Sequence, residues 1–401
     1  MVTNTPAPTR DRPRTVLIAG AGIAALEAAL ALRSHLDSDR LAITVLAPND
    51  RFRYPALAVL EPFGAAAAWS MPLQAFADDV GVELRHGVLG DVDVAGRVAR
   101  TSEGVALPYD GLLLATGARS DRSLDGATPF RGAHDADRVA DLLERVARDG
   151  GGTVAFVAPA TVSWSLPVYE LALLTAAHLQ AAEIPARVLV VTHEADPLAL
   201  FGDDAQAIAR DKLARHGIEL HAGAAVVGLG EDGWIELDDG RRIAADHVVA
   251  MPELHPRTVP GLPTDDAGFV PVDEHARVLG APGVYAAGDV TSGDVKQGGL
   301  ACQQADAAAE AILADLGHPI APAPYRPVLR GILLSDEEPE YLRSALAAEQ
   351  PPAPREPRVR RLAWPQGKIV GHHLSPYLAG RGDGPRTPDG AVPVAGSDRA
   401  G

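Results

Sequence analysis

The sequence predicts an α/β protein in which two β-α-β folds are followed by a small C-terminal α+β unit. An apolar strand, a glycine-containing turn, an alanine-rich helix and a second apolar strand follow one another over residues 15–47. The same order of patterns begins again at residue 153. The length of 401 residues fits two or three domains.

The first unit begins with residues 15–19, a short apolar run that is typical of a buried parallel strand. Residues 24–34 are rich in alanine and leucine, which favours a helix, and residues 41–47 predict the second strand. An amphipathic helix over residues 135–148 ends at a run of glycines. Three further strands are expected at residues 82–86, 97–101 and 111–115.

The second unit repeats this order. A strand is predicted at residues 153–157, a helix at 168–183 and a strand at 187–192. The chain then returns to an apolar strand at residues 284–287 and a helix at 300–316. The remaining elements of the second unit are a helix over 203–216 and short strands near 218–221, 234–237 and 247–250.

These elements divide the chain into a discontinuous first domain, residues 14–130 and 261–320, and an inserted second domain, residues 131–260. The Pro-rich residues 321–380 form the C-terminal unit. Two terminal segments are polar or rich in glycine, proline and aspartate, and we expect both to be disordered: residues 1–13 and 381–401.

Composition excludes several classes of protein. Lys+Arg is 36 and Asp+Glu is 53, and the net charge of −17 argues against binding to nucleic acid. No apolar run is long enough for a spanning helix, and the N-terminus does not have the pattern of a secretory signal, so a cytoplasmic location is expected. Cys302 is the single cysteine, which excludes an intramolecular disulfide and an internal dithiol.

The strongest local motif is the turn between the first strand and the first helix, which contains Gly20, Gly22 and Ala25. Gly20 permits the tight turn, Gly22 lets a pyrophosphate approach the backbone, and Ala25 allows close packing of helix on strand. The helix N-terminus offers free N–H groups to the phosphates. The motif therefore predicts a Rossmann-like dinucleotide-binding fold.

The end of the second strand departs from this pattern. An acidic residue is expected there to hold the ribose hydroxyls, and the position is occupied by Ala47. Asn49 and Asp50 follow in the next loop. Either these side chains replace the acid, or backbone and water hold the ribose.

Later turns add polar groups after apolar strands. Ala115, Thr116 and Gly117 form a small-residue turn where backbone can pass close to a nucleotide. The Asp289 carboxylate, after Gly288, can accept hydrogen bonds from a polyol, although a Gly-Asp pair is also common in ordinary turns. A loop that begins with Lys296 and Gln297 opens the next helix, whose N-terminus favours negative charge, and Lys296 adds a positive charge.

In this order the motifs resemble those of the flavoproteins with two dinucleotide-binding domains, the pyridine nucleotide-disulfide oxidoreductases. They most resemble the branch that holds sulfide:quinone oxidoreductase, flavocytochrome c sulfide dehydrogenase and type II NADH dehydrogenase. The resemblance implies non-covalent FAD, with Asp289 at the ribityl chain and the loop after Lys296 at the flavin ring. It also implies that Tyr54 and Pro55 are neighbours of the flavin.

The turn of the second unit departs from a nicotinamide site. After the strand, residues 158–163 run Ala-Pro-Ala-Thr-Val-Ser where a Gly-rich turn would be needed. Pro159 removes an N–H donor, and no glycine permits close approach of a pyrophosphate. We therefore do not expect NAD(P)H to bind in the usual mode.

Sulfide-oxidising members of the resembled branch use a cysteine pair beside the flavin, which one cysteine cannot supply. Their Tyr-Glu stretch is present as Tyr169 and Glu170. The resemblance implies that Glu170 starts a helix facing the flavin and relays protons, and the alternative is a structural glutamate at a helix start. We expect Cys302 to be a packing residue.

No metal site is expected. His372 and His373 are adjacent, so they cannot share one helix face, and no carboxylate or cysteine lies at ligand spacing nearby in the sequence.

Together these features predict an FAD-dependent oxidoreductase that passes electrons from a small-molecule donor to a quinone-like or protein acceptor, with Glu170 and Lys296 as catalytic candidates. Three alternatives stay open: an NAD(P)H:acceptor oxidoreductase with an atypical nicotinamide site, a non-catalytic flavin- or nucleotide-binding sensor, and a sulfide enzyme. The resemblance allows a homodimer. A stable membrane anchor is not expected, because the C-terminal region lacks a basic amphipathic helix.

Overall fold

A computed structural model describes most of the chain. The described residues are 13–67, 69–122, 124–230, 233–293, 295–346, 367–388 and 390–393. The expected N-terminal arm therefore lies outside the described residues except for Pro13.

The first five-stranded sheet, which we call the N-terminal sheet, is parallel throughout. Its middle strand is Arg14–Ala19, and the edge strand Val284–Ala286 returns to it from a distant part of the chain. The helices Ile23–His35 and Gly298–Asp315 pack against each other beside this sheet. In order across the sheet the strands are Val284–Ala286, Gly111–Leu114, Arg14–Ala19, Leu41–Ala47 and Glu83–His86.

The second five-stranded sheet, the central sheet, is also parallel. The helix Leu166–Ala181 packs on two of its strands, and the helices Ala136–Arg148 and Asp203–Arg215 precede and follow that region in the chain. In order across the sheet the strands are Thr128–Pro129, His247–Ala250, Gly152–Ala158, Ala186–Thr192 and Glu219–His221.

Smaller antiparallel sheets flank the two large ones. Two of them have three strands each: Leu89–Asp93, Val98–Thr101 and Ala106–Pro108, and Val226–Leu229, Trp234–Leu237 and Arg242–Ala244. Three strand pairs are Arg51–Arg53 with Ser70–Pro72, Arg119–Arg122 with Glu253–His255, and Val328–Leu333 with Glu340–Ala345. The short helices are Pro55–Phe63 and Ala199–Phe201, both 3-10 helices, and the α-helices Leu73–Val80 and Leu374–Gly380.

The C-terminal hairpin closes over the space between the two large sheets. Its strand Val328–Leu333 packs on the helices Leu166–Ala181 and Gly298–Asp315. Gly331 is needed at this contact, because a Cβ there would lie 2.9 Å from the ring of Phe201. The hairpin therefore connects the second unit, through Leu166–Ala181, to the helix Gly298–Asp315 of the first.

The predicted fold class is confirmed, and the ends of the predicted strands and helices lie within two residues of the observed ones. Part of the segment that was expected to be disordered makes contacts: Arg381 forms an ion pair with Asp79, and the N–H of the buried Val392 donates to the carbonyl of Ser335. No helix within the described ranges is both long and apolar enough to cross a membrane.

Candidate active site

Two adjoining cavities run along the carboxyl edge of the N-terminal sheet. The outer cavity has a volume of about 750 Å³ and begins at the turn after the first strand. The inner cavity, of about 440 Å³, reaches under the C-terminal hairpin. Both cavities are lined by Gly22, Phe52, Arg53, Ala115 and Gly117, so they form one continuous cleft.

The glycine turn shapes the outer cavity as its sequence predicts. Gly20 has φ +120°, and a Cβ there would lie 2.1 Å from the carbonyl oxygen of Ala115. A Cβ on Gly22 would meet no atom within 4 Å and would extend into open cavity space. Ala25 is buried in the first turns of the helix and lines neither cavity, which fits a packing role.

The turn after the strand Gly111–Leu114 presents a polar group without a partner among the described residues. The hydroxyl of Thr116 is buried and has no hydrogen-bond partner among the described residues. Thr116 lines the outer cavity, and Gly117 beside it has φ +66°. A buried hydroxyl without a partner is costly, so the site is built to receive a polar ligand atom.

The position expected to hold ribose is lined by Ala47, and Asn49 and Asp50 stand in the same wall. Arg119 and Arg257 add positive charge to this cavity, and the motifs in the sequence gave no indication of them. The outer cavity thus offers donors for phosphate oxygens and acceptors for hydroxyl groups.

Asp289 lies at the inner part of the cleft. Its partly buried carboxylate lines the inner cavity and has no hydrogen-bond partner among the described residues. Burial raises the pKa of this carboxyl, and the Lys296 ammonium opposes the rise. Gly288 before it has φ +82°, and its N–H donates to the Gln304 side chain over 2.8 Å.

Lys296 and Gln297 line the inner cavity, but both side chains are also used within the protein. The Lys296 ammonium donates to the carbonyl of Thr291 and lies 4.0 Å from the centre of the Phe269 ring. The Gln297 side chain caps the helix Gly298–Asp315, accepting from the N–H of Leu300 over 2.9 Å. Gln297 is therefore a structural part of the cavity wall.

Tyr54 and Pro55 were both expected beside the cofactor, but only Pro55 lies at the cavity wall. Pro55 lines the inner cavity. Tyr54 does not line either cavity, because its ring is buried and its hydroxyl accepts from the N–H of Ile369 over 2.8 Å. Tyr54 supports the C-terminal segment that forms the far wall.

Glu170 makes an ion pair that the sequence did not predict. The Lys368 ammonium lies 2.6 Å from both carboxylate oxygens, and the N–H of Leu334 donates to one of them over 3.0 Å. Burial raises the pKa of the Glu170 carboxyl, and the Lys368 ammonium acts against it. The expectation of a glutamate at a helix start is wrong, because the helix begins at Leu166, a full turn earlier.

Lys368 is the member of this pair that reaches the site. It lines the inner cavity, whereas Glu170 is fully buried behind it. Glu170 therefore positions Lys368, and any proton or charge effect of the pair on a bound molecule passes through the ammonium. No spacing in the sequence could indicate a partner 198 residues away.

Cys302 is completely buried on the helix Gly298–Asp315 and lines neither cavity. Burial and the neighbouring Glu27 carboxyl raise the pKa of its thiol well above the usual value. A thiol held protonated in this way is a poor nucleophile, and Cys302 is a packing residue.

The turn of the second unit does not leave space for a pyrophosphate, as its lack of glycines suggests. The N–H of Val162 donates to the carbonyl of Pro159 over 2.9 Å, which folds the turn on itself. Glu194 follows the strand Ala186–Thr192 at the place where an acid would hold a ribose. Its carboxylate instead accepts from the hydroxyl of the buried Tyr169 over 2.6 Å.

His372 and His373 lie away from the cleft. No carboxylate lies at ligand spacing near them in the sequence, but the fold brings Asp306 Oδ1 to 3.9 Å from His373 Nε2. The sequence hides this contact because Asp306 is on the helix Gly298–Asp315, far from the histidines in the chain.

The two parallel sheets, the glycine turn and the cleft define an oxidoreductase of the type that is built from two dinucleotide-binding domains. The chain belongs to the pyridine nucleotide-disulphide oxidoreductase family, whose model matches residues 14–310. The resemblance found in the motifs is therefore confirmed. The protein is an enzyme, an oxidoreductase of this family.

Three similar proteins illustrate the range of this family. An NADH dehydrogenase-like protein of Mycobacterium tuberculosis is 27% identical over 292 residues, which are 69% of this chain and 72% of that protein. The ferredoxin–NAD(+) reductase component of the biphenyl dioxygenase system of Paraburkholderia xenovorans is 27% identical over 423 residues, covering 96% of this chain and 85% of that protein. The structure of sulfide:quinone oxidoreductase from Aquifex aeolicus has a TM-score of 0.73 at 21% identity, over 83% of this chain and 84% of that one.

Proposed function

We propose that the protein binds FAD non-covalently along the cleft and passes electrons from a small-molecule donor to a quinone-like or protein acceptor without a cysteine pair. The observation that carries the proposal is the continuity of the two cavities with polar groups left free for a ligand. Thr116 and Asp289 are the free groups, and Gly22 leaves the space for a pyrophosphate. Bound FAD would supply the redox chemistry, accepting electrons from one partner and giving them to another.

Different residues of the cleft would contact different parts of a bound FAD. Gly20, Gly22 and the helix N-terminus would hold the pyrophosphate. The Thr116 hydroxyl would donate to it or to a ribose. The Asp289 carboxylate would accept hydrogen bonds from ribityl hydroxyls, because it accepts no hydrogen bond from the described residues.

The inner cavity supports electron transfer at the ring end. Its wall is mostly apolar, and it includes Trp164, Leu166 and Ile369. Lys368 adds one positive charge whose position Glu170 holds. In a site with little water, that charge favours negative charge on a reduced flavin or on an acceptor, and it can hold a proton near them.

The second unit supports a donor other than NAD(P)H. The turn at Pro159 has no glycine that would let a pyrophosphate approach the backbone. The Glu194 carboxylate already accepts a hydrogen bond from the Tyr169 hydroxyl. Thiol chemistry on sulfide is also disfavoured, because Cys302 lies outside the cleft and is fully buried.

One finding favours a second candidate, an NAD(P)H:acceptor oxidoreductase with an atypical nicotinamide site. Two of the relatives, the NADH dehydrogenase-like protein and the ferredoxin–NAD(+) reductase component, carry NADH or NAD(+) in their names. The two candidates differ only in the donor, so a donor panel separates them.

The experiment is anaerobic mixing of the flavin-loaded protein with NADH, NADPH and sulfide, followed by a quinone analogue. The proposal is supported if neither NADH nor NADPH bleaches the flavin absorbance and the quinone rapidly reoxidises the chemically reduced flavin. Rapid bleaching by NADH or NADPH selects the second candidate. No turnover with any donor and acceptor would indicate a sensor.

A further inference from the structure

A second group of chemically active side chains lies outside the cleft, where the helix Gly298–Asp315 meets the segment before Leu374–Gly380. Asp306, His372 and His373 each present one ligand atom, and these atoms all lie within 4.8 Å of one another. His372 is exposed, and His373 and Asp306 are partly buried. The group is therefore open to solvent on one side and closed by packed helices on the other.

The side chain of Asp306 makes a hydrogen bond with the Glu27 carboxyl, and His373 is the basic side chain beside it among the described residues. The Oδ1 atom of Asp306 is buried and accepts no hydrogen bond from the described residues, although it points toward the His373 ring at 3.9 Å. Glu27 lies directly beside Asp306. Within the described part of the chain, neither carboxylate forms an ion pair with a lysine or arginine. Buried carboxylates are usually paired or coordinate a metal ion.

The backbone around the histidines is held in place by Glu27. Its two carboxylate oxygens accept from the N–H groups of His373 and Leu374 over 2.8 and 2.6 Å. Gly371 precedes this turn, and a Cβ there would lie 2.5 Å from Glu27. The turn that carries both imidazoles is thus fixed against the first helix before any ion binds.

We propose that Asp306, His372 and His373 form a binding site for a divalent metal ion of the Zn²⁺ type. Two imidazoles and one carboxylate suit Zn²⁺ and similar borderline ions, and water can fill the remaining position at the exposed side. Ligand atoms on a tetrahedral Zn²⁺ lie about 3.4 Å apart. The three side chains would therefore move closer together on binding the ion, starting from a separation of 3.9 Å between Asp306 Oδ1 and His373 Nε2.

The bound ion would link the C-terminal segment to the helix Gly298–Asp315. His372 lies four positions after Lys368, and the same segment supplies Ile369 to the wall of the inner cavity. An ion bridging this segment to the helix Gly298–Asp315 would fix the wall of the cleft without entering it. The proposal does not depend on which donor or acceptor the enzyme uses.

The test is calorimetric titration of chelator-treated, tag-free protein with ZnSO₄, with flavin content measured by absorbance in parallel. We expect one equivalent of Zn²⁺ per chain, and at least about tenfold weaker binding in His372→Ala and in Asp306→Asn. His86→Ala, which removes an exposed histidine on a different edge, is the matched control and should bind as the parent does. Far-UV circular dichroism confirms that each variant is folded.

Absence of saturable binding in the parent protein would overturn the proposal. It would also be overturned if either His372→Ala or Asp306→Asn kept the parent affinity, or if His86→Ala weakened binding equally. His372 is exposed, so its variant keeps the test valid even if Asp306→Asn does not fold. A parent protein that binds Zn²⁺ but not flavin would leave this site supported and the proposed function refuted.

Discussion

The Lys368 ammonium lies 2.6 Å from both carboxylate oxygens of Glu170, and the two residues are 198 positions apart in the chain. The pair joins the C-terminal segment to the helix Leu166–Ala181 at the wall of the inner cavity. Since Glu170 is fully buried and Lys368 nearly so, each charge depends on the other.

Lys368→Met should destabilise the protein by about 3–5 kcal/mol at pH 8, because it leaves Glu170 buried without a cation. The loss should shrink as the pH falls. Burial already raises the folded-state pKa of Glu170, and without the ammonium it rises further, so the buried charge disappears on acidification. Urea unfolding at pH 5 and pH 8 measures this. The double variant Glu170→Gln, Lys368→Met should recover stability at pH 8, and failure to recover would contradict the pairing.

In flavin-loaded protein, Glu170→Gln should shift the flavin reduction potential, because the charge and the position of the Lys368 ammonium near the inner cavity are no longer set by the Glu170 carboxylate. A spectroscopic redox titration measures the change. Thr175→Val, on the same helix but outside the cavities, serves as the control and should leave the potential unchanged. An unchanged potential in Glu170→Gln would contradict a positioning role.

Thr116→Val should weaken FAD binding by about fivefold, which is the effect of losing one hydrogen bond of about 1 kcal/mol. The stability of the apoprotein should not fall, because the hydroxyl has no partner among the described residues to lose. Fluorescence titration of the apoprotein with FAD and thermal unfolding separate the two effects. Equal loss of stability and affinity would show that the hydroxyl serves the fold instead.

Gly20→Ala should destabilise the protein by about 2 kcal/mol or more, since φ is +120° and the new methyl would meet the Ala115 carbonyl at 2.1 Å. Gly22→Ala is the matched control, because its Cβ enters open space and its φ of −89° is ordinary. Thermal unfolding of the two apoproteins compares them. Equal melting temperatures would contradict the close approach of the two strands.

The bond between His216 and Asp336 makes stability depend on pH. The Asp336 carboxylate lies 2.8 Å from His216 Nε2 and raises the pKa of the imidazole. A raised folded-state pKa stabilises the protein below the unfolded pKa of about 6.5, and this contribution is lost as the pH rises through the folded value. His216→Asn should therefore cost up to about 1 kcal/mol at pH 6 and less at pH 9. A cost that is independent of pH would contradict the charged pair.

The strands and the glycine turn were predictable because their signals are local. Apolar runs mark the buried parallel strands, and Gly20 and Gly22 have the spacing that a tight phosphate-binding turn requires. Some flanking antiparallel strands, such as Arg51–Arg53, were not predicted, because three residues with two exposed side chains give no clear period.

The site was predictable only in part. The positions of Thr116 and Asp289 at strand ends follow from the fold, but their lack of protein partners is a property of packing. Tyr54 differs from its expected position because its hydroxyl bonds to Ile369, a contact over 315 residues. Lys368 was missed for the same reason, since its role depends on a long-range contact with Glu170.

The central claim is that FAD lies in the cleft and passes over Gly22. Equilibrium titration of the apoprotein with FAD, on the parent, Gly22→Leu and Gly228→Leu, tests it most directly. Gly228 also has open space at its Cβ but lies outside both cavities, which makes it a matched control. We expect one FAD per chain in the parent and in Gly228→Leu, and at least about a hundredfold weaker binding in Gly22→Leu with unchanged apoprotein stability. Parent protein that cannot be loaded with FAD, or Gly22→Leu that binds it as tightly as the parent, would contradict the account.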